Sequence, residues 1–211
     1  MKLPGHRGNI VFIVPLGPAY PAKAGRGTCR LTREIRVPFC VKDVRVRTKS
    51  SHETVELGKR IGRLMEPGDV AALVGGLGTG KTHLIKGLAA GAGVKRFSYI
   101  SSPSFTLIRE YPGKVPVTHV DLFRLGTERE AEDLGLEEYF QGRGITAIEW
   151  ADKIPSLLPE EVLWIHLSHT GERTRSIEII GKGSRYEEIV DNLAKLLKNE
   201  VSKNSRALKA R

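Results

Sequence analysis

Residues 75–82 read GGLGTGKT, a complete G-x-x-x-x-G-K-[ST] pattern, and no other stretch constrains the fold of this chain as strongly. The apolar run VAALV, residues 70–74, precedes it, and HLIKGL follows it. A buried strand that ends in glycines lets successive backbone N–H groups converge on an anion, and the helix after it adds the positive end of its dipole. The context therefore predicts a phosphate-binding loop between a strand and a helix.

The residue types inside this loop predict a particular ligand. Glycines remove the Cβ atoms that would keep a phosphate from the backbone. Lys81 is expected to reach the β- and γ-phosphates, and the Thr82 hydroxyl is expected to bind the Mg²⁺ that accompanies them. The loop thus predicts ATP or GTP with magnesium, bound by Gly75, Gly76, Leu77, Gly78, Thr79, Gly80, Lys81 and Thr82.

The order of elements around the loop predicts an α/β P-loop NTPase. The chain has 211 residues, 40% of them hydrophobic, which is enough for the core of one such domain. Ser50 and Glu53 have the spacing of a capping box and predict a helix of about fifteen residues before the loop strand. Segments 102–111, 115–123 and 145–150 predict strands, with one or two short helices over 128–140. We expect a mostly parallel sheet with helices on both faces.

The C-terminal third predicts a different local arrangement. Two β-rich runs, 162–167 and 176–180, flank Thr170-Gly171-Glu172, which favours an antiparallel hairpin at the edge of the sheet. Ser184 begins a final amphipathic helix, and the chain beyond Asn199 is expected to fray.

The net charge of +10 lies entirely in the two ends of the chain. Residues 1–43 hold eight Lys and Arg against two acids, residues 182–211 hold eight against four, and residues 44–181 hold eighteen of each. We therefore divide the chain into a disordered or dispensable basic extension (1–43), a catalytic core (44–181), and a C-terminal helix with a basic tail (182–211). A basic end can attract RNA or simply be solvated. No run is long enough to span a bilayer, and a nucleotide site favours the cytoplasm.

Two acids follow apolar strands, where ligands of open α/β sheets bind. Asp121 follows residues 115–120, the position of an acid that holds Mg²⁺ or orients the attacking water. Glu149 closes the run 145–148, and a carboxylate there is costly to bury without a metal or cation. An ordinary strand-end salt bridge or helix cap is the alternative for each acid.

Other polar side chains have weaker signals. Ser102, Ser104 and Thr106 form a hydroxyl-rich segment that could reach a γ-phosphate, although such alternation is also common in half-exposed strands. Arg124 and Arg143 are candidates for stabilising transition-state charge. His119 is interpreted as a packed strand residue rather than a base.

Five segments, in this order and spacing, are similar to the TsaE family, also called YjeE, of small bacterial P-loop ATPases needed for threonylcarbamoyladenosine in tRNA. They are GDVAALVGGLGTGKT, SSPSFTLIREY, THVDLFRL, EDLGLEEYF and ITAIEWAD, within residues 44–170. The resemblance implies that Thr82 and Glu149 bind Mg²⁺ and that Asp121 is needed for hydrolysis. It also implies ATP, the partner proteins TsaD and TsaB, and only indirect contact with tRNA. The chain departs from the usual pattern at Gly76, Thr79, Ser104 and Phe123.

Three functions follow from these observations. The first is a magnesium-dependent ATPase of the TsaE type, slow without its partners, with Asp121 and Lys81 as catalytic residues and Ser104 and Thr106 near the nucleotide. The second is a small-molecule P-loop kinase, although the acidic segment 128–138 lacks the arginines of a lid. The third is an adaptor that binds RNA through its basic ends without hydrolysis. No N-K-x-D motif is present, which argues against GTP.

Overall fold

A computed structural model describes the backbone of residues 11–13 and 41–209 and the side chains of residues 42–200. Its single sheet has eight strands in the order β1-β2-β8-β7-β3-β6-β5-β4. The strands are β1 Val11–Ile13, β2 Val41–Thr48, β3 Val70–Val74, β4 Ile108–Tyr111, β5 Val117–Asp121, β6 Ile145–Glu149, β7 Val162–His169 and β8 Arg175–Lys182. The helices are α1 Ser51–Leu64, α2 Lys81–Gly91, α3 Glu128–Glu132, α4 Leu136–Phe140 and α5 Ser184–Lys209, with 3-10 turns over Phe97–Tyr99 and Ala151–Lys153.

The four central strands β7, β3, β6 and β5 are parallel, and the strands outside them are antiparallel. The predicted α/β fold with a parallel centre is therefore confirmed. The predicted hairpin forms as β7 and β8, but the sheet continues beyond it, because β2 pairs with β8 along its whole length and β1 pairs with β2. A further antiparallel strand, β4, forms the opposite edge of the sheet beside β5.

Helices cover both faces of the sheet, as predicted. In β3, Ala71 and Leu73 face α1, α2 and α5, whereas Val70 and Ala72 face α3, α4 and the turn over Ala151–Lys153. This division follows from the alternation of side chains along a strand. Because both faces are covered, β5 and β6 are buried along their whole length, and the apolar strand β3 is buried from Val70 to Leu73.

Helices α1 and α2 touch backbone to backbone through glycines. A Cβ on Gly62 would lie 2.0 Å from the Leu88 carbonyl oxygen, and one on Gly87 would lie 2.0 Å from that of Val55. Gly58 and Gly91 make similar approaches. The contact holds α2, and with it the phosphate loop, close against α1. The predicted start of α1 is confirmed, since the Ser50 hydroxyl accepts from Glu53 N at 3.1 Å.

The ends of the domain differ from the predicted boundaries. β2 begins at Val41, so the boundary placed between residues 43 and 44 falls inside a strand. The rest of the predicted extension lies outside the described residues, apart from β1. At the other end, α5 runs to Lys209 rather than ending near Asn199, and it buries Tyr186, Ile189 and Leu193 in the main core. β2 and α5 therefore pack with the predicted core as parts of one domain.

The segment 102–111 is only partly a strand. Residues 104–106 form a turn in which Leu107 N donates to the Pro103 carbonyl at 2.7 Å, and β4 begins at Ile108. Leu107 has a φ of 61°, a left-handed conformation that breaks strand geometry.

Across the described part of the chain, none of the helices combines the length and apolar character that crossing a bilayer requires.

Candidate functional site

The loop between β3 and α2 has the backbone that the glycine pattern predicts. Gly75, Gly78 and Gly80 have φ values of 150°, 77° and 100°, which side chains disfavour. A Cβ on Gly75 would also lie 2.3 Å from the Leu167 carbonyl oxygen of β7. The Thr79 hydroxyl donates to Gly76 O at 2.9 Å and closes the turn. The loop is therefore a compact bend of main chain at the carboxyl end of β3, with Leu77 exposed.

Lys81 is folded back onto this loop. Its Nζ donates to Gly75 O at 2.6 Å and Gly76 O at 3.0 Å, and it lies 4.0 Å from the centre of the Trp150 ring. Burial lowers the pKa of this ammonium, and the charges of Glu149, Asp121 and Asp152 oppose the shift. The ammonium is thus held among carbonyl oxygens and an aromatic face, and it must exchange these partners to bind a phosphate.

Thr82 and Glu149, which were both predicted to bind the cation, are in direct contact. Glu149 ends β6 and is only 4% exposed, and its Oε1 accepts from the Thr82 hydroxyl at 2.7 Å. The same oxygen lies 3.0 Å from Nε2 of the fully buried His119. A carboxylate only accepts, so Nε2 of the imidazole is the donor in this contact. Two donors therefore orient the Glu149 carboxylate.

Asp121 lies beside Glu149, because the two residues are paired in the register of β5 and β6. Its Oδ1 accepts from Phe123 N at 2.9 Å, and its Oδ2 accepts from the Ser102 hydroxyl. Asp121 is 2% exposed, so these donors replace the water that a free carboxylate would bind. Ser102 thereby ties the segment before β4 to the site.

Ser104 and Thr106 are not brought into this cluster. Both lie on the turn that leaves Phe105 83% exposed. Within the described residues, neither hydroxyl forms a hydrogen bond with the phosphate loop. Their predicted role in holding nucleotide stays a prediction.

The two arginine candidates occupy different places. The Arg124 guanidinium carbon lies 4.1 Å from the centre of the Phe105 ring, and both side chains are exposed. Arg143 precedes β6, at the end of that strand opposite to Glu149, so its suggested role in catalysis is wrong. A different arginine contacts the loop, because Nε of Arg175 donates to the Thr79 carbonyl at 2.9 Å. The sequence gives no signal for Arg175 at this site, because the contact joins residues far apart in the chain.

The oxygens at Thr82 fit the chemistry of Mg²⁺. This ion prefers hard oxygen ligands and commonly takes only one or two from the protein, leaving the others to phosphates and water. Among the described residues, no group of three or more His, Cys, Asp or Glu side chains could hold a metal by itself. The Thr82 hydroxyl and the Glu149 carboxylate, 2.7 Å apart beside an anion-binding loop, are therefore suited to an ion that arrives with a phosphate ligand.

Comparisons with known proteins point to one family. A family model described as "Threonylcarbamoyl adenosine biosynthesis protein TsaE" matches residues 48–177. The Bacillus subtilis (strain 168) protein named tRNA threonylcarbamoyladenosine biosynthesis protein TsaE is 41% identical over 156 residues, covering 74% of this chain and 96% of its own. The protein of the same name from Treponema pallidum (strain Nichols) is 37% identical over 132 residues, covering 63% of this chain and 96% of its own.

A solved structure shows the same fold. The crystal structure of Bacillus subtilis YdiB matches with a TM-score of 0.65 and 37% identity, covering 75% of this chain and 98% of its own. The family match spans the phosphate loop, both strand-end acids and the β7–β8 hairpin up to residue 177. From the matched sequence and the shared fold together, we conclude that the chain belongs to the TsaE family.

Proposed function

We propose that this protein binds and hydrolyses ATP with Mg²⁺ and acts in the threonylcarbamoyladenosine modification of tRNA, at the adenosine next to the anticodon. The observation that carries the proposal is the convergence of Lys81, Thr82, Asp121 and Glu149 at one end of the parallel strands. The glycine loop and the start of α2 supply backbone donors there. No other group in the described residues combines an anion-binding loop with two buried carboxylates.

Each side chain has a separate task in this proposal. The loop N–H groups and Lys81 bind the phosphates, and Lys81 does so by leaving the carbonyls of Gly75 and Gly76. Thr82 and Glu149 hold the cation, which when bound neutralises developing charge on the phosphates. Asp121 accepts a hydrogen bond from the attacking water and orients it. Trp150, with a φ of 63°, is held in a strained conformation between Lys81 and Phe123, which keeps an apolar wall beside these groups.

The place in tRNA modification rests on the names of the relatives and on the resemblance of the sequence. Both matched relatives are named for tRNA threonylcarbamoyladenosine biosynthesis. We propose that hydrolysis resets an assembly of TsaB and TsaD proteins, which itself transfers the threonylcarbamoyl group. In this arrangement the protein contacts tRNA only indirectly, works in the cytoplasm, and turns over slowly when alone.

The test is magnesium-dependent ATP hydrolysis, measured with and without TsaB and TsaD proteins. Asp121→Asn and Glu149→Gln change charge with little change in volume, and each should lower the stimulated rate by about 100-fold or more. Glu110→Gln on the exposed edge strand β4 is the matched control and should keep the wild-type rate. Unchanged rates in both site variants would contradict the proposed roles. Phosphate transfer to a metabolite instead of water would favour the kinase alternative.

A further inference from the structure

The far end of the β7–β8 hairpin lies against the phosphate loop. His169 and Arg175 are paired across the hairpin, and Arg175 also faces Thr48 of β2, so this end is held by three strands. Nε2 of His169 lies 3.9 Å from the position of a Cβ on Gly78. The hairpin therefore supports the loop on the side away from Asp121 and β5.

Arg175 makes the polar contact between the two elements. Its Nε donates to Thr79 O at 2.9 Å, and its Nη1 donates to Arg173 O at 3.2 Å, which fixes the plane of the guanidinium. Its Nε lies 3.1 Å from the position of a Cβ on Gly80. This close approach, together with a φ of 100°, requires glycine at position 80.

The hydrogen bond from Arg175 to the Thr79 carbonyl fixes the orientation of the peptide group between Thr79 and Gly80. A trans peptide is planar, so its C=O and N–H point in opposite directions. With the Thr79 carbonyl turned to Arg175, the N–H of Gly80 points away from Arg175. Gly80 is the N-cap of α2, and N–H groups at this end of a helix have no intrahelical acceptor.

We propose that Arg175 is a positioning residue for nucleotide binding, which holds the Thr79–Gly80 peptide so that the Gly80 N–H is presented to a phosphate. The proposal rests on the proposed function, since it requires the loop to bind a nucleotide. Arg175 acts through the backbone of the loop and needs no contact with the ligand. Its positive charge is also felt at the start of α2, where burial, Lys86 and Arg175 together lower the pKa of His83.

The test compares Arg175→Gln, Arg175→Lys and the matched control Arg173→Gln by calorimetry with ATP and Mg²⁺ at low and high salt. Arg173 is an exposed side chain on the same hairpin, so its variant removes the same charge without the contact. Arg175→Gln should weaken binding about 10-fold at both salt concentrations, because it loses a charge-assisted hydrogen bond. The affinity of Arg175→Lys for ATP should lie between those of Arg175→Gln and the wild type. The affinity of Arg173→Gln should stay within about twofold of the wild type.

Three results would overturn the proposal, and each has a different meaning. Equal losses in Arg173→Gln and Arg175→Gln that vanish at high salt would show a general effect of charge. A lower melting temperature for Arg175→Gln with unchanged affinity would show a purely structural role. If the wild type takes up no ATP, the proposed function itself fails and the role of Arg175 fails with it.

Discussion

Nε2 of His119 and Oε1 of Glu149 lie 3.0 Å apart across the neighbouring strands β5 and β6, with both side chains almost fully removed from solvent. His119→Phe keeps a ring of similar size but removes the donor. Because a buried carboxylate then loses one of two donors, we expect the free energy of unfolding to fall by about 1–3 kcal/mol, measured by urea denaturation. We also expect slower ATP hydrolysis, since Glu149 loses its fixed orientation.

His166→Phe is the matched control for this prediction. Nε2 of His166 is buried without a hydrogen-bond partner among the described residues, so its loss removes no donor from another group. Equal losses of stability and activity in the two variants would show that the His119–Glu149 contact has no special importance.

The close contact of α1 and α2 predicts that alanine is destabilising at Gly62 and Gly87. In an ordinary helix, glycine to alanine adds up to about 1 kcal/mol of stability. Here the new methyl group would meet a backbone carbonyl at 2.0 Å, so the helices must separate, and we expect a loss of about 2 kcal/mol or more. Thermal denaturation followed by circular dichroism measures the change. Gly126→Ala has space for its methyl group and should stay within about 0.5 kcal/mol of the wild type.

Tyr186 predicts a dependence of stability on alkaline pH. Its hydroxyl accepts from Val70 N at 2.7 Å, and burial raises its pKa from 10.0 to about 12. The folded state thus holds the phenolic proton more tightly than the unfolded state, a contribution that is complete below pH 10 and is lost as the pH rises towards 12. Tyr186→Phe lacks this contribution and also leaves the Val70 N–H without its acceptor.

The measurement is the difference in unfolding free energy between the wild type and Tyr186→Phe at several pH values. The wild type should be more stable at pH 8, and its advantage should shrink by about 2–3 kcal/mol by pH 12. A difference that stays constant from pH 8 to pH 12 would contradict the prediction, because it would mean that the two states bind the proton equally.

Trp150 predicts a fluorescence signal for nucleotide binding. Lys81 Nζ lies 4.0 Å from the centre of its ring and must leave Gly75 O and Gly76 O to reach a phosphate. Addition of ATP with Mg²⁺ should therefore change the emission of Trp150. The chain has two tryptophans, so Trp164→Phe should keep the change and Trp150→Phe should abolish it. A signal that follows Trp164 instead would show that Lys81 does not move relative to the Trp150 ring.

The features predicted correctly from sequence are those with a local signal. The loop strand, the loop and α2 follow from one contiguous pattern, and the start of α1 follows from Ser50 and Glu53. The sequence also predicts the positions of Asp121 and Glu149 at strand ends, because each acid follows a run rich in β-branched residues. The two acids then lie side by side because β5 and β6 are adjacent parallel strands.

The features that escaped prediction depend on distant contacts or on unusual backbone. Nothing in the sequence near Arg175 indicates Thr79 O as its acceptor, since the two residues meet only when β7 and β8 fold beside the loop. Leu107 gives no sign of its left-handed backbone, so the segment before it was predicted as a strand. β2 has a period-two signal in Val44 and Val46, but the division of the chain by charge places the start of this strand in the basic extension.

The pairing of β2 with β8 has a consequence for shortened forms of the protein. The match to the family begins at residue 48, whereas β2 covers Val41–Thr48 and buries Val46. A chain that begins at residue 48 would uncover a row of backbone donors and acceptors along β8, and an open strand edge of this kind readily pairs with strands from other molecules. Removing the residues before the family match would thus favour self-association, although every residue proposed to touch ATP would still be present.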